Sequence, residues 1–308
     1  MRALGTITGL YIAYAYLVRF ERQVIGRLSL GGPKKWGVLW PLIDAARALR
    51  KPGITPQGTR RFVYVGAPLL TLALILAALA LILMGPDASW GIFPMRGTML
   101  LAPLLGWLSL GGVLLGSHAS GQPPFREQGR EAVLSSLIYT LPALVALGGV
   151  VILSRSIDLT TIVRSQSGAR VYAIYQPLGA LLCALALLAG GRRLPYRLPG
   201  GQSDLLSDFH LQHAGGVLAL YHLAEYLYLL FISGFLVTIY LGGWRGPGSD
   251  GPHWLALKTL VVAVALLWLR NGWLAALRQR AGKRLWLILT AWALVNTLLT
   301  AFFLLLLH

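Results

Sequence analysis

Apolar residues recur in eight long runs along the 308-residue chain, with shorter polar segments between them. A helix needs about 20 apolar residues to cross a hydrocarbon core roughly 30 Å thick, so each run has about the length of a membrane span. The pattern predicts an all-α integral membrane protein, a single membrane domain over 1–308, with eight transmembrane helices. The predicted spans are 3–18, 62–84, 98–117, 132–153, 171–189, 217–243, 254–269 and 285–307.

The polar segment 19–61 is too long for a simple connector and contains a helical pattern of its own. Its apolar residues recur every three or four positions and would share one helix face, while Asp44, Arg47 and Arg50 lie elsewhere. This spacing is typical of an amphipathic helix lying on the cytoplasmic surface of a membrane. The apolar residues of the pattern are Trp36, Leu39, Trp40, Ile43, Ala46 and Leu49.

A second long polar segment, 190–216, contains glycines and prolines that exclude one regular helix. Asp204, Asp208, Phe209 and His210 cluster within it. Polar loops beside a membrane commonly carry function or bind a partner. We therefore expect this loop to contribute to the functional surface of the chain.

Composition and charge agree with a membrane protein, since 56% of the residues are apolar and only 12% are charged. The net charge is +17, but the basic residues lie between the apolar runs, where they indicate topology and contact with anionic lipid rather than nucleic acid. Odd-numbered loops hold 20 Lys and Arg, and even-numbered loops hold five. We expect a multi-pass protein of a bacterial-type inner (plasma) membrane, with odd loops in the cytoplasm and both termini on the opposite side.

Motifs for soluble-type catalysis and for metal binding are missing from the sequence. No Walker loop, dinucleotide fingerprint, HExxH, GxSxG or CxxC occurs, and the lone Cys183 lies in an apolar run as a packing residue. His210, His213, His222 and Glu225 include a His-x-x-Glu spacing used in metal bundles, but the spans supply too few further carboxylates. We expect no metal or haem in this chain and no catalysis by the chain alone.

Glu225 is the most informative single residue, because it lies inside the sixth apolar run, in YHLAEYLYLLF. A carboxylate in hydrocarbon costs about 2.5–3.5 kcal/mol on insertion scales and is retained mainly where it lines a polar cavity or relays protons. The alternative is a structural carboxylate that pairs with a neighbour such as His222 or Lys258.

Three stretches of the chain follow one extended pattern. The first matches ERxxLGRxQxRxGPNRxGxxGxLQPxxDxxKL at Glu21-Arg22, Gly26-Arg27, Gly32-Pro33, Gly37, Pro41-Leu42, Asp44 and Leu49. The second comprises Leu194-Pro195-Tyr196, Pro199, Asp204-Leu205, Phe209-His210, Gly215, Ala224-Glu225-Tyr226 and Leu241-Gly242-Gly243-Trp244. The third comprises Trp254, Lys258-Thr259, Arg270, Trp286 and Asn296. In these stretches the chain resembles the H subunit family of respiratory complex I, NADH-quinone oxidoreductase.

The resemblance implies a membrane-anchor subunit whose first and fifth loops form the membrane side of a quinone chamber. It further implies quinone as a bound substrate and partners that include an iron–sulfur peripheral arm, antiporter-like subunits and small membrane subunits. Arg27, Asp44 and Phe209 would line an opening to lipid between the first span, the amphipathic helix and the sixth span. The implied chamber residues are Glu21, Arg22, Arg27, Asp44, Phe209 and His210, and the implied proton-relay residues are Glu225, Asp204 and Asp44.

Several acidic positions of the family pattern carry other residues in this chain. The family's FDxPEAExE reads YRLPGGQSD over 196–204, and its HxEYSG reads HLQHAG over 210–215. The glutamate of the family's SYE falls at Tyr139 or Thr140, and the aspartate of its RYDQ falls at Gln279. Because these replacements cannot accept protons as carboxylates do, we expect weakened or lost proton coupling.

Two other functions fit parts of the sequence. The motif Gly129-Arg130-Glu131-Ala132 resembles the related membrane subunit of group 4 hydrogenases, which would need no quinone. The LGGW motif at 241–244 and ERxxxGR at 21–27 favour complex I instead. An unrelated transporter is the third alternative, and it would show interrupted helices in paired halves of the chain.

Overall fold

A computed structural model shows an all-α protein. It describes residues 12–13, 16–20, 43, 46–47, 49–52, 59–83, 99–119, 123–166, 171–190, 213–247, 250–269 and 283–306. Within these ranges the chain forms helices joined by short connections, and no strand occurs among them. The predicted all-α class is therefore confirmed.

The helices follow the apolar runs of the sequence. Five of them, α1, α3, α7, α8 and α9, are long and apolar enough to cross a membrane, while α2 and α6 are shorter apolar helices. The predicted run 3–18 is described only in part, so the count of eight crossings stays a prediction. The bounds are α1 Arg61–Leu83, α2 Leu101–Ser117, α3 Pro123–Ser154, α4 Leu159–Ser165, α5 Tyr172–Tyr175, α6 Pro177–Gly190, α7 Gly215–Tyr240, α8 Pro252–Leu269 and α9 Lys283–Leu306.

The predicted fifth span, 171–189, is divided into the four-residue α5 and the longer α6. The break falls at Gln176, which precedes Pro177. A proline lacks a main-chain N–H and disfavours helical geometry in the residue before it, so a continuous helix is not maintained across this point. The apolar run predicted the location of the span but not this interruption.

Two further helix boundaries differ from the expectation. Helix α3 begins at Pro123, well before the predicted start at 132, with its proline in the first turn, where the missing N–H costs little. The short helix α4 was not predicted. It begins after Asp158, whose carboxylate accepts a hydrogen bond of 3.0 Å from the main-chain N of Thr161 and so caps the first turn.

The predicted amphipathic helix is described only in part. Residues 43, 46–47 and 49–50 are helical, and Ile43 and Leu49 expose their apolar side chains. The rest of the predicted helix, including Asp44, lies outside the described residues. Its full extent therefore stays a prediction.

The chain forms two compact units. The first unit comprises 1–73, 109–130 and 197–227, and the second comprises 74–108, 131–196 and 228–308. Helix α7 is the most buried of the membrane-length helices, with 83% of its most apolar stretch inside the structure, compared with 6% for α9. The exposed side chains of α9 are apolar, as expected of a helix that contacts lipid or a membrane partner.

Candidate functional site

The predicted site residues are described unequally. Glu225 lies on α7 in the first unit. The other predicted relay and chamber residues lie outside the described part of the chain, so their placement stays a prediction. They are Glu21, Arg22, Arg27, Asp44, Asp204, Phe209 and His210.

The ends of the two long loops meet in the first unit. The main-chain N of Gly216, at the end of the fifth loop, donates a hydrogen bond of 2.9 Å to the carbonyl oxygen of Lys51, near the end of the first loop. A Cβ atom at position 216 would lie 2.5 Å from the carbonyl oxygen of Leu49, so a side chain does not fit without movement of the main chain. Glycine at 216 thus permits close backbone contact between the two loops.

Next to this loop contact, three aromatic rings pack together. The ring of His213 stacks on Tyr64, with centroids 4.9 Å apart, and meets the edge of Tyr221 at the same distance. All three side chains are buried, with His213 only 3% exposed. The main-chain N of Ala214 donates a 3.0 Å hydrogen bond to the hydroxyl of Tyr64, which fixes the start of α7 against α1.

Helix α2 approaches this ring cluster through small residues. The hydroxyl of Tyr221 donates to the carbonyl oxygen of Gly112 at 3.5 Å, and a Cβ at Gly116 would lie 2.1 Å from the same hydroxyl. Thr71 of α1 donates to the carbonyl oxygen of Ser109 at 3.3 Å. Small residues four apart allow close helix packing in a membrane. In the first unit, α1, α2 and α7 therefore converge around Tyr221.

One turn along α7 from Tyr221 lies Glu225. Its Oε2 atom is 3.5 Å from Nδ1 of His222, which makes the two an ion pair whenever the histidine is protonated. The Glu225 side chain is 13% exposed and the His222 side chain 38% exposed, so the pair extends from the interior towards the surface. This arrangement can hold and pass a proton, because both groups titrate and they lie within contact distance.

At the other end of α7, in the second unit, polar side chains bind main-chain groups. The Lys258 ammonium donates to the carbonyl oxygens of Leu241, Gly243 and Arg245, at 2.7, 3.4 and 2.6 Å. These oxygens belong to the segment that follows α7, where the helix can no longer satisfy them. Lys258, the other predicted neighbour of Glu225, thus has a main-chain capping role.

Comparisons with known proteins decide the family. The family model described as NADH dehydrogenase matches residues 1–301. The chain is 33% identical over 284 residues to the NADH-quinone oxidoreductase H subunit 1 of Rhodopseudomonas palustris (strain BisB5), which covers 91% of this chain and 88% of that protein. The chain belongs to the H subunit family of NADH-quinone oxidoreductase. The H subunit of Syntrophotalea carbinolica is 31% identical, covering 97% of this chain and 94% of that protein.

The LGGW motif that this chain shares with the H subunit pattern has a structural explanation. Gln166, 2% exposed, donates to the carbonyl oxygens of Ile162, Thr238 and Ile239 and accepts from the main-chain N of Tyr172 and Gly242. Trp244 of the motif is buried against Val163 and Leu255. The sequence did not single out Gln166, because one glutamine between apolar helices carries no pattern.

The position of the SYE glutamate in the H subunit pattern is occupied by hydroxyl residues. Thr140 donates to the carbonyl oxygen of Ser136 at 3.1 Å, and Ser136 donates to that of Gly190. The ring of Tyr139 packs on Trp286 with centroids 4.9 Å apart. These side chains join helices by neutral hydrogen bonds and ring contacts, and they carry no charge at neutral pH.

Sequence reasoning missed the ring cluster of Tyr64, His213 and Tyr221. His213 was weighed only as a metal ligand, and the two tyrosines resemble the many others in the apolar runs. Among the described residues, no three His, Cys, Asp or Glu side chains are grouped as a metal site would require. The usable signal was His213 beside the glycine that begins a membrane helix, since an imidazole there needs a partner.

Proposed function

We propose that this chain is the membrane-anchor and quinone-chamber subunit of a complex I-like NADH-quinone oxidoreductase. In this function it links a peripheral iron–sulfur arm to proton-translocating membrane subunits and catalyses nothing alone. The observation that carries the proposal is the hydrogen bond between Gly216 and Lys51, which joins the ends of the two longest polar loops beside the buried end of α7. Family membership supports the same assignment.

A quinone chamber at these loops is chemically reasonable. A quinone is held in lipid by its apolar tail, while its polar headgroup needs hydrogen-bonding groups at the membrane surface, where Trp, Tyr, Arg and acidic side chains also concentrate. The two loops supply such groups next to membrane-length helices. The proposed chamber residues are Glu21, Arg22, Arg27, Asp44, Phe209 and His210.

Proton transfer is the second part of the proposal. Glu225, Asp204 and Asp44 are the proposed relay acids, and Glu225 with its neighbour His222 is the best-described member. The hydroxyl residues at 139 and 140 remove one acid of the family pattern. We therefore propose a coupling that is weaker than in relatives with the full set of carboxylates.

The quinone assignment is testable by photolabelling. The intact complex, isolated in mild detergent, is illuminated with a short-chain ubiquinone that carries an azide on its ring, and labelled peptides are mapped by mass spectrometry. We expect label on peptides from 19–61 and 190–216 that excess unlabelled quinone suppresses. Label on the exposed α9 controls for partitioning into detergent and should persist under competition. Label confined to α9 would overturn the proposal.

Orientation in the membrane is a separate proposal, with odd loops in the cytoplasm. The sole cysteine, Cys183, is buried, so it contributes little background to labelling with a membrane-impermeant maleimide. New cysteines are introduced by Ala276→Cys in the seventh loop and by Pro247→Cys in the sixth. In inside-out vesicles we expect the seventh-loop cysteine to react and the sixth-loop cysteine to be protected. The reverse result would invert the topology.

A further inference from the structure

We infer that His213 is a proton-relay residue that connects the loop end of α7 with the Glu225 side of the helix. The inference rests on the proposed function, since it assigns a residue to the proton route of that same site. It starts from a contact cluster, the rings of Tyr64, His213 and Tyr221, that buries an imidazole where a phenyl ring would satisfy packing equally well.

The cost of burying this ring is the first argument. Moving a polar group out of water is unfavourable unless the group gains partners, and an apolar ring of similar shape avoids that cost. What an imidazole adds over a phenyl ring is exchange of a proton near neutral pH, because the ordinary pKa of histidine is about 6.5. One ring nitrogen can bind an incoming proton while the other releases its own, so the residue ends in its starting charge state.

The neighbours of the ring are the second argument. Helix α1 supplies Tyr64 and helix α7 supplies Tyr221, and these are the titratable groups in ring contact with His213. A phenol hydroxyl both donates and accepts hydrogen bonds, so it can pass a proton without holding a charge. Glu225 lies four residues after Tyr221 on the same helix, with His222 beside it. Titratable side chains therefore follow the first turns of α7 from its start to the buried acid.

The sequence supplies an independent argument. The family pattern HxEYSG has an acid followed by a tyrosine at the positions of Gln212 and His213. This chain has lost the acid at 212 and gained an imidazole at the next position. The number of groups that titrate below pH 8 is thus unchanged over these two positions, as expected if a proton carrier has been moved by one residue.

The test uses the intact complex reconstituted into vesicles. Reduced methyl viologen, a low-potential dye, supplies electrons to the iron–sulfur arm, decylubiquinone accepts them, and an enclosed pH dye reports proton uptake. We expect His213→Phe, which keeps the ring stack, to lower proton uptake per quinone reduced by at least about tenfold at pH 7. Quinone reduction in uncoupled vesicles should stay within about twofold, because the change removes a proton carrier and no quinone contact.

Three further measurements separate a relay from a packing role. His213→Tyr should lose proton uptake as His213→Phe does, and the double change Gln212→Glu with His213→Tyr should regain it. His253→Phe, at an exposed histidine, should behave as the wild type. Wild-type proton uptake should pass through a maximum between about pH 6 and 8, and this maximum should vanish without the imidazole.

The outcomes distinguish the inference from the proposed function. Proton uptake by His213→Phe at the wild-type level, with normal quinone reduction, would overturn the relay and leave the quinone assignment standing. A wild-type complex that reduces no quinone would overturn the proposed function and the relay together. If His213→Phe fails to assemble, the wild-type pH profile decides, since a flat profile between pH 6 and 8 contradicts a titrating relay.

Discussion

The two ends of helix α7 are built in different ways. At its end, in the second unit, the polar side chains of Gln166 and Lys258 bind main-chain groups of the segment that follows the helix. At its start, in the first unit, the contacts join side chains that titrate or pass protons, among them His213, Tyr221 and Glu225. One helix thus has a main-chain network at one end and a cluster of proton-exchanging groups at the other.

This difference indicates which buried polar residues are structural and which are functional. Hydrogen bonds to main-chain carbonyls satisfy groups that the fold leaves unpaired, so they stabilise a structure whatever its activity. Contacts among histidine, tyrosine and glutamate serve no main-chain group and place titratable side chains in a low-dielectric interior, which is costly unless function requires it. Substitutions at the two ends should therefore affect different observables.

The largest effect should come from Gln166. Gln166→Met keeps the volume of the side chain but leaves five main-chain groups without their partner, and we expect the free energy of unfolding to fall by about 2–4 kcal/mol. The matched control is Gln176→Met in the same unit, because no hydrogen-bond partner for the Gln176 amide occurs among the described residues. That change should be neutral or stabilising by up to about 1 kcal/mol. Thermal unfolding of the purified complex measures both, and equal losses would contradict the account.

Lys258 should come second. Lys258→Met removes the donor to three carbonyl oxygens, but the side chain is partly exposed and water can replace part of the bonding. We expect a loss of about 1.5–3 kcal/mol in the same unfolding assay. Arg284→Met removes an exposed cation from the start of α9 and serves as the control, with a change within about 0.5 kcal/mol. No difference between the two variants would mean that Lys258 is not a cap.

Glu225 should show the opposite profile. Glu225→Gln keeps the shape and hydrogen-bonding ability of the side chain and removes its exchangeable charge, so assembly and thermal stability should stay near the wild type. Proton uptake per quinone reduced should fall by about tenfold or more, in the range of lost general acid–base groups. Unchanged proton uptake would make Glu225 a structural partner of His222.

The smallest effect should come from the glycines of the first unit. Gly116→Ala places a methyl group against the Tyr221 hydroxyl, and we expect a destabilisation of about 1 kcal/mol with a reduced proton uptake. Gly66→Ala is the matched control, because a Cβ there meets no atom within 4 Å. It should be neutral or slightly stabilising, since alanine favours a helix. A neutral result at Gly116 would mean that the close approach to Tyr221 is unimportant.

The sequence predicted the helices well because their signal is local. Apolar runs located α1, α7, α8 and α9 to within a few residues, since the length of a membrane span is set by the thickness of the bilayer. Chain interruptions were less accessible. Pro177 was visible, but prolines also occur inside α1 and α3 without ending those helices, so the break at Gln176 depended on tertiary packing.

The candidate site was predictable only in its unusual member. Glu225 was visible because a carboxylate is rare in an apolar run. Tyr64, Tyr221 and Gln166 were not, since the first two are 157 residues apart and each looks ordinary in its own segment. Their roles arise from long-range contacts, such as the bond from Ala214 to Tyr64, that no local pattern encodes.

The most direct test of the assignment is to identify what this chain binds in its own membrane. The tagged chain is isolated in mild detergent at native expression level, and the co-purifying proteins are determined by mass spectrometry. Membership in a complex I-like quinone oxidoreductase predicts iron–sulfur subunits and antiporter-like membrane subunits in stable ratio to the chain. A nickel–iron hydrogenase large subunit in their place would support the hydrogenase alternative, and recovery of the chain alone would contradict both and favour a transporter.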